Sequence, residues 1–416
     1  MALEGLRGVA AVVVVLFHIM MIFFPEVIDG VTAYSSTGVQ NAAFEHSIYG
    51  NPLNALLSGT FSVSIFFVLS GFVLTIGFFQ TKDAGIIKRL AAKRYIRLML
   101  PALAAVLLAY VLLKLGTNEY RIQAAAVTHS VWLNSLWNVV PHLSGALNQG
   151  FYGIFVNGNT TYNPALWTLQ WEMIGSFIVF ASALLINDMK HRWVIYIALA
   201  FIFSTTWLFG FILGMALADL YSLKSKPLSR IRTQFLYIAA LIGIVLAGMP
   251  SHEMVGPIYT RLYLHFLSPS QNQSLYTAVG AVLLVTAILQ SPTLSRFFAH
   301  KRISILGKYT YSLYLVHMPI LFSVCTGLFV AINTSLGFHK AALISVTVTL
   351  ILIAIVAYMF ERFIDAPSIK LSGSFSDILF GKKVFISTST IHKLLFWKKQ
   401  KIIDKLPVID FEGPVS

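Results

Sequence analysis

Charge is what this sequence has least of. Only 11% of its 416 residues are charged and 57% are hydrophobic, where soluble domains have about 25% charged and about 45–50% apolar residues. Mean hydropathy is +0.77. An ordinary soluble domain is thereby excluded, and a multi-pass membrane protein is expected. Acidic groups are scarcer still, 16 against 30 Lys and Arg, for a net charge of +14. In a soluble chain that excess would point to nucleic acid. In a membrane chain it marks cytoplasmic loops, so no nucleic-acid partner is expected. Cys325 is the single cysteine, which rules out an intrachain disulfide, and no metal site is expected. There is no internal repeat, no appended globular module, and no small-residue cleavage site after the first apolar run.

What the chain does have is apolar runs of spanning length, about 20 residues each. They cover residues 8–26, 55–80, 98–115, 164–186, 194–206, 207–221, 235–249, 275–290, 309–332 and 341–363. The expected fold is an all-α polytopic membrane protein with about ten transmembrane helices. The fifth and sixth runs are short, and Ser204, Thr205 and Thr206 are their expected turn. Basic residues gather between alternate runs: Lys82 to Arg97, Lys190 with Arg192, Lys224 to Arg232, Arg296 to Lys308, and the lysine-rich end. All fall on one side if both termini are cytoplasmic. Sequons at Asn159, Asn272 and Asn333 land on the other side. These features divide the chain into a membrane domain, 1–365, and a basic cytoplasmic tail, 366–416. The tail has the composition of a segment lying on an anionic leaflet. The outer loop 116–163, with His129, Trp132, Trp137 and His142, reads as an interfacial segment or as a lid over an acceptor site.

Four stretches carry polar side chains where apolar ones dominate. The first reads LEGLRGVAAVVVVLFH, residues 3–18. On a helix Arg7 and His18 lie about 20° apart around the axis and roughly 16 Å apart along it, with Glu4 near the same line. An imidazole at that depth faces protein or water, not lipid, and is the side chain best suited to proton transfer near neutral pH. The second, KRLAAKRYIRLMLP at 88–101, puts Arg94 and Arg97 on one face, fit for an anionic ligand or for ordinary positive-inside charge. The third opens NPALWTLQWE at 163–172, where Thr168, Glu172 and Ser176 form a polar stripe. The fourth, GKYTYSLYLVHMPI at 307–320, places Thr310, Tyr314 and His317 on one face. Within it Pro319 frees the Leu315 carbonyl.

These motifs, in this order, resemble the membrane-integral acyltransferase-3 family. R-G-x-A-A followed by an apolar run ending in His matches the family's first helix, and FFVLSGFVL at 66–74 its second. R-x-x-R-L-x-x-P, W-T-L-x-x-E and Y-S-x-Y-L-x-H match its later elements, while ERFIDAP at 361–367 is a looser form of its closing element. The resemblance implies an O-acyltransferase that moves an acyl group, short such as acetyl, from acyl-coenzyme A. The acceptor is a hydroxyl of a lipophilic metabolite or of an extracytoplasmic glycan. It implies His18, Glu172 and His317 as catalytic, with Glu172 toward the acceptor in the outer half. Arg7, Arg94 and Arg97 are the expected residues for coenzyme A, and Trp167 and Tyr314 for substrate. Tyr314 and Ser70 are the candidate donors to an oxyanion. Acyl-coenzyme A is a co-substrate, so no resident cofactor is expected. The bilayer is a partner, assembly with further copies is left open, and in a eukaryotic host the membrane would be the endoplasmic reticulum or plasma membrane. The competing class is a transporter or permease, which also keeps His, Glu and Arg inside the membrane.

Overall fold

A computed structural model describes residues 1–29, 51–223, 228, 231–251 and 257–381. Lys224, Lys226 and Arg230, and the tail from Lys382 onward, lie outside the described residues. Among those described there are helices and no strands. Seven helices are long and apolar enough to cross a membrane. They include α1 (Ala2–Phe23), α2 (Gly59–Thr81) and α3 (Ala84–Lys114). The short α4 (Asn118–Thr128) and α5 (Val131–Ser135) lie in the loop that follows. Then come α6 (Trp167–Ile186) and three shorter apolar helices, α7 (Arg192–Phe203), α8 (Leu208–Ser222) and α9 (Thr233–Ala247). The last long ones are α10 (Pro269–Gln290), α11 (Lys301–Ile320) continuing into α12 (Thr326–Leu336), and α13 (Phe338–Phe360) continuing into α14 (Ala366–Phe380).

The three shorter helices occupy the fifth, sixth and seventh apolar runs. At 12 and 15 residues they are about 18 and 22 Å long, less than a hydrocarbon core. The turn between α7 and α8 is the expected one: Ser204 and Thr206 donate their hydroxyls to the Phe201 and Phe203 carbonyls.

Several boundaries differ from the hydropathy reading. Helix α1 begins at Ala2, so Glu4 and Arg7 are within it. Helix α3 begins at Ala84, with Asp83 capping the Gly85 amide, and carries Arg94 and Arg97 inside a 31-residue helix. At the other end of the chain the helix does not stop at residue 363. It passes through a π-helical turn, Glu361–Asp365, into α14, which buries Ser368, Ser372 and Ser376 and packs along α3. Arg89 closes that contact. Its guanidinium donates to Asp377 Oδ1 at 3.1 Å and to the Phe380 and Gly381 carbonyls at 3.0 and 2.6 Å, the usual unmet acceptors of a helix C-terminus.

Two helix pairs set the frame for the site. Helices α2 and α8 pack backbone to backbone: a methyl at Gly71 would run into the Phe211 carbonyl, and one at Gly214 into the Val68 carbonyl. Small residues allow such approach in membrane bundles. Gly71→Val is therefore expected to lower stability by about 1–3 kcal/mol or to prevent folding, because the obstacle is backbone and cannot turn aside. A detergent melting temperature equal to that of the unmodified protein would contradict this close packing. The second pair is α1 and α11. Gly5 faces Ile303, Gly8 faces Leu306, and His18 meets His317. The two helices therefore run side by side in the same direction.

Candidate active site

The α1–α11 seam brings two histidines together. His317 Nε2 lies 3.2 Å from His18 Nδ1. Each ring also has a nitrogen on a backbone carbonyl four residues back: His18 Nδ1 on Val14 O at 2.8 Å and His317 Nδ1 on Leu313 O at 3.2 Å. Carbonyls only accept, so in neutral rings both Nδ1 atoms carry hydrogen. The His18 Nδ1–H is then shared between the Val14 carbonyl and the His317 Nε2 lone pair. The consequence is chemical: His18 Nε2 is left with a lone pair, and no described residue donates to it. His317, completely buried, uses both nitrogens and sits behind His18.

The kink at Pro319 has a visible partner. The Leu315 carbonyl, freed by that proline, accepts the Asn163 side-chain amide at 2.8 Å. Asn163 is fully buried, and the segment around it is locked: Trp137 Nε1 donates to the Tyr162 carbonyl at 2.7 Å, and Gln149 Oε1 accepts the Tyr162 amide at 3.0 Å. Residues 143–166 thus form a wedge of short helical pieces that packs on α3 over residues 143–153 and reaches α11 at residues 163–166.

This wedge changes the depth of Glu172. Tyr314 donates to the Ala165 carbonyl at 2.7 Å and accepts from Thr168 Oγ1 at 2.9 Å. So the start of α6 is level with Tyr314, one turn before His317. Glu172 is one further turn along α6, away from the histidines and toward the N-terminal end of α1. The expected placement of Glu172 in the outer half is corrected: it shares a cavity with Arg7.

That cavity has a volume of about 250 Å³. Arg7, Arg94, Arg97, Glu172 and Ser70 supply its polar walls, and Phe66, Tyr311 and Tyr314 are among its aromatic ones. The three arginines are not equivalent. Arg94 Nη2 donates to Glu172 Oε2. Arg97 Nη1 donates to Asp365 Oδ1 and, at 3.3 Å, to Ser368 Oγ, while its guanidinium lies 5.0 Å from the Tyr311 ring centre. Arg7 is exposed to the cavity and has no hydrogen bond or ion pair among the described residues. Glu172 is also held by Ser70, whose hydroxyl donates to Oε1 at 2.8 Å.

The two expected oxyanion donors are therefore engaged: Ser70 on Glu172, Tyr314 on the Ala165 carbonyl. Trp167 does not line the cavity; its ring packs on Trp207 at 4.9 Å. Tyr314 does line it, and its other side meets His317, ring centres 5.7 Å apart. One ring thus separates the cavity from the histidine pair.

Of the sequons, Asn159 is exposed and accepts from the Thr161 hydroxyl at 2.6 Å. Asn333 is half-buried on α12. Asn272 is completely buried, its amide donating to the Leu264, Leu267 and Ser268 carbonyls, which leaves no room for a glycan on the folded chain.

Sequence reasoning missed Arg121 and the role of Trp132. Arg121 is fully buried in the loop and donates to the Leu133 and Asn134 carbonyls and to the Asn118 and Asn138 side chains. Burial lowers its pKa, partly offset by Glu119. It fixes α5, from which Trp132 reaches His18, ring centres 5.6 Å apart.

A helical bundle of membrane-spanning length, with a polar cavity and two histidines in contact between its helices, defines a multi-pass membrane protein. A family model described as an acyltransferase domain matches residues 2–360, and the chain belongs to the acyltransferase-3 family. The match ends just before Glu361 and Asp365. No curated protein and no solved structure shows significant similarity to the chain.

Proposed function

We propose that the protein moves a short acyl group, such as acetyl, from acyl-coenzyme A to a hydroxyl, with ten membrane passes and both termini cytoplasmic. The observation that carries this reading is the His18–His317 pair set one ring away from a cavity holding an unpaired guanidinium. The bilayer would hold the protein with Arg7 facing the cytosol, where the donor is found. The phosphates of coenzyme A would go to Arg7 first, because Arg94 and Arg97 already hold carboxylates. A phosphate at either of those sites must displace Glu172 or Asp365. The thin acyl-pantetheine arm would then pass Tyr314, whose ring must turn and release Thr168 and Ala165.

His18 Nε2 has the free lone pair. In one route it takes the proton of the acceptor hydroxyl as the oxygen attacks the thioester carbon, the C–S bond breaks, and the proton passes to the departing thiolate. In the other, Nε2 itself attacks the thioester carbon and expels the thiolate, and the hydroxyl oxygen then displaces the neutral imidazole from the acyl carbon while its proton passes to the thiolate. In both, His317 is a positioning residue that keeps His18 in the Nδ1–H form. Glu172, distant from the pair, would order Arg94 and the cavity wall.

The test is coenzyme A binding to detergent-purified protein. Saturable binding is expected, weakened about 10–100-fold in Arg7→Ala for the loss of one charge-assisted contact. Absence of saturable binding in the unmodified protein, together with intact acetyl-coenzyme A after incubation, would reject acyl transfer in favour of a transporter.

A further inference from the structure

The proposed chemistry leaves two acceptor classes open, a lipophilic alcohol and a glycan. Resting on that reading, we infer that the acceptor is a lipophilic alcohol, recognised against Trp132 on the face of His18 turned away from the arginine cavity.

The argument starts from what surrounds His18 there. Its ring contacts are Phe17 at 5.0 Å and Trp132 at 5.6 Å, the indole tilted by only 31°. Phe17 and Trp132, with Met20, Phe24 and Leu57, pack against one apolar cluster of Met21, Val27 and Ile28. Among the described residues no carboxylate pairs with His18, and its only side-chain hydrogen-bond partner is His317. A sugar arriving here would bring several hydroxyls against apolar walls. Each hydroxyl left unpaired costs more than one stacking contact returns. An apolar body bearing one hydroxyl meets no such cost.

Trp132 is built for that ligand. The backbone on both sides of it is fastened: Ser130 Oγ donates to the Met21 carbonyl at 2.7 Å, and Arg121 holds the Leu133 and Asn134 carbonyls. The indole itself is half-buried, and its Nε1–H has no acceptor among the described residues, unlike Trp137, which donates to Tyr162. An apolar face with one unspent donor against the His18 ring matches an apolar molecule with one oxygen. Trp132 is therefore a specificity residue, and Arg121 the residue that positions it.

The experiment needs no acyl transfer. His18→Cys in a Cys325→Ser background places a thiol at the site, and its rate of reaction with a polar maleimide is followed in detergent. Adding Trp132→Ala is expected to raise that rate about tenfold, the equivalent of one lost aromatic contact. With Trp132 present, at least one of octanol, farnesol and cholesterol is expected to slow labelling saturably, and N-acetylglucosamine is expected not to. No change with Trp132→Ala, protection by the sugar, or protection by none of the three alcohols would each overturn the inference. If the His18→Cys protein is not monodisperse, carbethoxylation of His18 in the native sequence, read by mass spectrometry, replaces the thiol readout with the same outcomes. Loss of coenzyme A binding would instead count against acyl transfer itself and leave these labelling results standing.

Discussion

His18→Ala is expected to abolish acceptor-dependent release of free thiol from acetyl-coenzyme A, by about 10²–10⁴-fold for a general base and further if the acyl group passes through the ring. Coenzyme A binding should persist, since Arg7 and the cavity lie on the other side of Tyr314. That split separates a chemical role from a folding role. His317→Gln is the companion: its side chain retains polar reach toward His18 Nδ1, so a smaller loss is expected than with His317→Ala. Thiol release that survives His18→Ala at the original rate would remove the histidine pair from the mechanism. Thiol release is read with a mixed metabolite pool, so that a missing acceptor is not mistaken for a missing residue.

The second large effect is on stability. Arg94 and Glu172 are mostly buried and paired, with Ser70 on the remaining carboxylate oxygen. Arg94→Met leaves a carboxylate inside the bundle without its counter-ion, which is expected to cost about 3–5 kcal/mol. Arg94→Met combined with Glu172→Leu should recover most of that loss, because an apolar pair carries no desolvation penalty. Unfolding midpoints in detergent for the two single variants and the double variant give the coupling directly. Additive losses would show that the pair is not an energetic unit. The cycle also bears on the donor: if coenzyme A phosphates displace Glu172 from Arg94, ligand should stabilise the unmodified protein and have less effect on the double variant.

The fold was largely legible because bilayer chemistry is severe. Apolar runs and basic clusters marked the helices, and the seven long spans occupy runs read from the sequence. His18, Tyr314 and His317 were visible as polar groups at helical spacing, and even the use of the Leu315 carbonyl followed from Pro319. What failed was depth. Hydropathy takes the first apolar residue of a run as the membrane boundary, yet the start of α6 is joined to α11 at Asn163 and Ala165, level with Tyr314. That put Glu172 in the cavity with Arg7 rather than beside the histidines. Partnership failed too. Arg89 read as positive-inside charge, and Arg94 and Arg97 as that or as ligands of coenzyme A, but their carboxylates come from sites 288, 78 and 268 residues away, and no local pattern announces such pairings. Arg121 left a trace in Asn118 three residues before it; Trp132 left none beyond the general habit of tryptophan at interfaces.

The two histidines that meet across α1 and α11 are 299 residues apart in the chain. During synthesis, at about 5–20 residues per second, the first histidine enters the bilayer roughly 15–60 s before its partner exists. For that interval His18 has neither its tautomer fixed by a second ring nor α11 beside it. If that pair is the catalytic centre proposed above, a nascent chain has no working centre before then, however much of the arginine-lined wall is already in place. Under the proposed function, activity would arrive only with the helix that closes the seam, and a messenger truncated before residue 317 would yield an inert membrane protein rather than a weak enzyme.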